Sequence, residues 1–138
     1  MSIETLTLQE AHEISAKVRA KAASLGVFVS VAIVDTSGIV VLIERMTGAG
    51  IITPDIAKAK AFTVIAFRGR PTQVLGELFK NNPETFTGIS AIHPIVGGGG
   101  GVPISKSGKI VGAIGVSGAK GVEDQQCAEA GTSPGPNI

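Results

Sequence analysis

Two pairs of apolar, β-branched runs, each broken only by a short polar turn, constrain this chain more than any other feature. Val27-Phe28-Val29-Ser30-Val31-Ala32-Ile33-Val34-Asp35 meets Ile39-Val40-Val41-Leu42-Ile43-Glu44-Arg45 across Thr36-Ser37-Gly38. Later, Val102-Pro103-Ile104 meets Ile110-Val111-Gly112-Ala113-Ile114-Gly115-Val116, with Ser107-Gly108 as the turn. Breaks this short join antiparallel neighbours, because a parallel crossover needs a dozen residues or more. The near-continuous apolar character of the first pair means that both faces of its sheet are covered.

The covering elements are helices. Thr7-Leu8-Gln9-Glu10 has capping-box spacing. From it Leu8, Ala11, Ser15, Val18, Ala22 and Leu25 recur at steps of three and four, until Gly26 stops the run. His12 lies at the margin of that stripe. Thr53-Pro54-Asp55 opens a second helix that continues through Phe67, and Thr72 opens a shorter one to about Lys80. Residues 83–90 read as loop. Ala91 to Val96 reads as extended, leading into five glycines, Gly97 to Gly101. Val122 to Ala130 forms the last helix. The pattern predicts one domain over 1–131 and a flexible tail over 132–138. Its class is α+β, with an antiparallel sheet and helices packed on it. A Rossmann sheet is excluded by the missing crossovers and glycine fingerprint.

Composition narrows the function. Twelve Lys and Arg against eleven Asp and Glu give a net charge of +1. No basic footprint is available for nucleic acid or an anionic membrane. No apolar run reaches the roughly 20 residues of a membrane span, and Met1-Ser2-Ile3-Glu4 does not open a signal peptide. The single Cys127 can make neither an internal disulfide nor a cysteine zinc site, which accords with a cytoplasmic location. A mean hydropathy of +0.36 points to a homo-oligomer that covers surplus apolar surface.

Chemistry rests on few residues. Gly99, Gly100 and Gly101 within the glycine run, and Gly118 at the approach to the last helix, let backbone N–H groups come close to an anion; equally, they permit tight packing. Gly108-Lys109 lacks the rest of a P-loop. His12 and His93 are the only histidines, and neither has the partner of a zinc pair. A lone imidazole can still ligate haem iron or move a proton. Lys58, Lys60 and Arg45 offer cations to a carboxylate. One combination, His93 with Lys60 or Glu44, describes proton transfer on a small carboxylate metabolite, with the glycine amides holding the anion. Acids near Cys127 raise its pKa and argue against a catalytic thiolate. A scaffold without small-molecule chemistry is the third reading.

Several segments in order resemble one family. Val34-Asp35-Thr36-Ser37-Gly38 followed by Glu44-Arg45-Met46 is similar to the first hairpin of the GlcG/HbpS-like haem-binding proteins, also called the haem-degrading or DUF336 domain. Ala57-x-x-Lys60-Ala61-x-Thr63 resembles their central helix. Gly100-Gly101-Val102-Pro103-Ile104, Gly112 to Gly118 and Glu123-Asp124 resemble their C-terminal half. The resemblance covers nearly all of 5–131. It implies a profilin-like fold with an antiparallel five-stranded sheet flanked by helices, homo-oligomeric assembly, and haem as the bound cofactor. In one branch a histidine of the first helix ligates the iron, and His12 is the position here that could match it. Arg45 or Lys60 would then meet the propionates. His93-Pro94 stands outside the family pattern.

Overall fold

The computed structural model describes residues 5–133. The elements run α1 (Leu8–Leu25), β1 (Ser30–Asp35), β2 (Val40–Arg45), α2 (Thr53–Ala66), α3 (Thr72–Asn81), α4 (Pro83–Ser90), β3 (Gly101–Lys106), β4 (Lys109–Ser117) and α5 (Gly121–Thr132). The readings of Met1 to Glu4 and of the tail beyond Ser133 lie outside the described residues, and Thr132 still belongs to α5.

Both hairpins form as the turn chemistry requires. β1 pairs β2 and β3 pairs β4, all antiparallel, and β1 also pairs β4. The sheet order is therefore β2-β1-β4-β3, with β1 and β4 inside. Ser107 (φ 51°) and Gly108 (φ 78°) both take left-handed backbone, the arrangement that lets a two-residue turn follow the strand twist.

Alternation along the inner strands sorts the core into two layers. Val31 and Ile33 of β1, with Ile114 and Val116 of β4, pack with Ala11, Val18 and Ala22 of α1 and with Cys127 and Ala128 of α5. Val34 and Ala113 point the other way, onto Ala61 and Val64 of α2. Gly115 faces α2 as well. A β-carbon there would overlap the Ala57 carbonyl oxygen and come within 2.7 Å of the Ala61 nitrogen, so only glycine lets α2 lie this close to the sheet. A smaller cluster of Leu75, Phe79 and Ile95 sits under α3 and α4.

The sheet has four strands, which corrects the expected five. The segment Ala91–Val96 pairs with no strand. Pro94 has no N–H to give a ladder, and the Val96 N–H donates to Thr63 Oγ1 at 3.0 Å instead. Residues 83–90, read as loop, form α4. Pro83 breaks α3 and starts the next helix, because its missing N–H costs nothing at a first helical position. Among the described residues no helix is long and apolar enough to cross a membrane.

Candidate functional site

The geometry of α1 starts at its caps. The Glu10 N–H donates to Thr7 Oγ1 at 3.1 Å, and the Thr7 N–H donates back to Glu10 Oε1 at 2.9 Å. Gly26 ends the helix in left-handed backbone at φ 71°. Burial of Ala11, Ser15, Val18 and Ala22 fixes the rotation about the helix axis and turns His12 to the exposed side. At about 100° per residue, Ala16, Arg19 and Ala23 lie within roughly 40° of His12. Those three residues, with Ala20, form one wall of a cleft of about 660 Å³. The opposite wall comes from Phe28, Glu44, Arg45, Met46 and Thr47.

Charges in this cleft are held in place. Glu44 accepts a hydrogen bond from Ser15 Oγ and pairs with Arg19 Nε at 3.2 Å. Arg45 Nη1 donates to the Ala49 carbonyl at 3.0 Å, which clamps the loop after β2. Each guanidinium has five N–H donors, so both keep donors for an anion. His12 has no hydrogen-bond or ionic partner among the described residues. Arg19 is the residue that the sequence reading missed; its spacing of seven from His12 was the available signal.

Lys60 lies elsewhere. It is 6% exposed. Its Nζ donates to the Val116 carbonyl at 2.8 Å and to Asp124 Oδ2 at 3.2 Å. Asp124 Oδ1 in turn accepts the Ala119 N–H at 3.0 Å. Burial pulls the Lys60 ammonium below its ordinary pKa and lifts the Asp124 carboxyl above its own, while their mutual attraction opposes both shifts.

The glycine run crosses above this pair. A β-carbon on Gly100 would meet Lys60 Nζ at 2.9 Å and overlap the Val116 oxygen. Gly99 abuts the Gly121 carbonyl, and Gly101 abuts Thr72. The Gly100 N–H donates to Gln125 Oε1 at 2.9 Å, and the Gly101 N–H to Thr72 Oγ1 at 2.8 Å. These two amides are spent inside the fold, joining α3 to α5. Gly97, Gly98 and Gly99 also edge a cleft of about 600 Å³ between α3 and α4. Gly118 (φ 145°) lets the chain pass the Phe28 carbonyl at the entrance to β1.

His93 occupies a third place. Its ring stacks on Phe62, with centroids 3.8 Å apart and planes inclined by 17°. His93 lines a cleft beside α2 and the first hairpin. The structure therefore brings Glu44 and Arg45 together with Arg19 beside the His12 face. It places Lys60 and His93 apart from them and from each other, so His93, Lys60 and Glu44 line no common cleft. Among the described residues no three His, Cys, Asp or Glu side chains gather around a common point.

Comparison with known proteins agrees with this architecture. The family model described as "Haem degrading protein HbpS-like" matches residues 6–133. An uncharacterised 15.0 kDa protein of Citrobacter freundii, from the dhaT–dhaS intergenic region, is 32% identical over 127 residues, covering 92% of this chain and 89% of that protein. A double mutant of HbpS from Streptomyces reticuli superposes with a TM-score of 0.84 at 33% identity, over 96% of this chain and 88% of the other. The crystal structure of a PduOC:heme complex gives a TM-score of 0.85 at 25% identity, over 94% of each chain. With a match spanning almost the whole described chain, this protein belongs to the HbpS-like family of haem-degrading proteins.

Proposed function

We propose that this chain binds haem against the outer face of α1, with the His12 imidazole as iron ligand, and that it serves in haem handling or degradation. The observation that carries the reading is the shared helix face, on which one unpartnered imidazole continues into a cleft with two arginines on its walls. Neutral imidazole is a common axial ligand, and a single such ligand needs no cluster of metal-binding side chains. Ala16, Ala20 and Ala23 project little, so the face stays open to a flat guest over roughly 16 Å from His12 to Ala23 at 1.5 Å per residue. Phe28 and Met46 supply apolar contact. Arg19 and Arg45, on the walls of the same cleft, would offer guanidinium donors to the propionates, a task for which the buried Lys60 has no free reach. When bound, haem supplies axial-ligand and redox chemistry at its iron; this chain orients the macrocycle and fixes its charges.

The haem-bound PduOC structure supports the reading because the same fold holds haem there. Titration with hemin tests it directly, since no side chain of the protein absorbs in the Soret region. Wild type is expected to give a saturable Soret band. His12→Ala should shift that band and weaken binding at least tenfold. Arg19→Ala and Arg45→Ala should weaken binding without moving the band, because neither touches the iron. An unchanged spectrum and affinity in His12→Ala would overturn the ligand assignment.

A further inference from the structure

The cleft that holds His93 has a composition of its own, and no residue of the α1 cleft takes part in it. It measures about 740 Å³ and lies between α2, the turn of the first hairpin and the segment before the glycine run. Phe62, Ile39 and Val40 give it apolar surface, and Ile39 is 64% exposed. Two opposite charges stand on its rim, Asp55 and Lys58 of α2, three residues apart on one helix face. Among the described residues neither makes an ion pair or a side-chain hydrogen bond.

The third polar group is the His93 ring. Its Nδ1 lies 3.1 Å from the Pro94 carbonyl oxygen. A carbonyl oxygen only accepts, so Nδ1 carries the proton, and Nε2 of the neutral ring is left as a hydrogen-bond acceptor. Stacking on Phe62 holds the ring in that orientation. The cleft thus combines one cation, one anion, one oriented acceptor and an aromatic–aliphatic surface. A simple carboxylic acid would leave Asp55 and the acceptor unused, and an amine would leave Lys58 unused.

We infer that this cleft binds a zwitterion with an apolar body, in chemical class an apolar α-amino acid. The ligand carboxylate pairs with Lys58, its ammonium donates to Asp55 and to Nε2 of His93, and its side chain lies against Phe62, Ile39 and Val40. The site is independent of the haem reading and stands or falls separately from it.

The test uses three probes: L-phenylalanine, 3-phenylpropanoate, which lacks the ammonium, and 2-phenylethylamine, which lacks the carboxylate. Binding is followed by the NMR signals of the Phe62 and His93 rings. L-phenylalanine should saturate those signals and bind roughly two- to fivefold more tightly than either analogue, the range expected for exposed ion pairs. Lys58→Met should erase the advantage over 2-phenylethylamine and leave 2-phenylethylamine binding unchanged. Asp55→Asn should reduce the advantage over 3-phenylpropanoate and leave 3-phenylpropanoate no weaker than before. His93→Ala should weaken L-phenylalanine and 2-phenylethylamine more than 3-phenylpropanoate. All three positions are exposed, so the variants keep the fold, and circular dichroism verifies this. The inference is overturned if no probe saturates the two ring signals, or if each substitution weakens all three probes equally.

Discussion

Burial pushes the Cys127 thiol up to about 11; the Asp124 carboxylate adds to the shift, Lys21 opposes it and Glu123 adds slightly more. The acids are visible in the sequence, but the larger cause is not. It comes from α5 packing against α1 and the sheet, which leaves Cys127 with no exposed surface. At pH 8 a thiol of that pKa is roughly one part in a thousand thiolate, and thiolate is the reactive form. Ellman's reagent should therefore leave the folded protein unmodified at pH 8 while labelling one thiol per chain in 8 M urea. Rapid labelling without denaturant would show that α5 opens readily. The same limit applied to Lys60 and Asp124. Read singly, Lys60 was a cation for a ligand and Asp124 only one half of the Glu123-Asp124 motif. They are 64 positions apart, so no local spacing announces their pairing.

At the scale of elements, legibility followed turn chemistry. Thr36-Ser37-Gly38 and Ser107-Gly108 disclosed both hairpins, and Thr7, Gly26 and Pro54 disclosed two helices, because each of those signals acts on its own backbone. The stretch from Pro83 to Val96 gave weaker signals. α4 has no buried residue and leans on α3 through Phe79 and Phe86, whose rings lie 5.0 Å apart. Such a helix is fixed by tertiary contact rather than by periodicity. Gly115 presents the opposite case, an element position set by its neighbour's backbone. Gly115→Ala would drive a methyl into the Ala57 carbonyl, and neither α2 nor β4 has a flexible side chain there to yield. The expected loss is about 3 kcal/mol or more, at the upper end of overpacking costs. Urea denaturation measures it. Gly88→Ala supplies the control: its β-carbon would meet nothing within 4 Å, it lies inside α4, and its stability should stay level or rise. A Gly115→Ala variant as stable as wild type would mean that α2 shifts freely on the sheet.

In the whole molecule, one polar pair ties the two helix layers together. α2 lies on one face of the sheet and α5 on the other, and Lys60 reaches past the end of β4 to bind both the Val116 carbonyl and Asp124. The glycine run closes over that joint and donates hydrogen bonds to Thr72 of α3 and Gln125 of α5, which accounts for glycines beyond what a turn requires. Desolvating two charges is costly, and that cost is offset by the pair's mutual attraction together with the Val116 carbonyl on Lys60 and the Ala119 N–H on Asp124. Removing one alone leaves a buried charge without a counterion. Lys60→Met and Asp124→Leu should each lower stability by about 3–5 kcal/mol. The double variant should lose less than the sum of the two, because no orphan charge remains. Chemical denaturation of the four proteins gives this coupling energy. If the single losses simply add, the ion pair does not join the layers, and the packing around Gly100 and Gly115 alone holds the two faces in register.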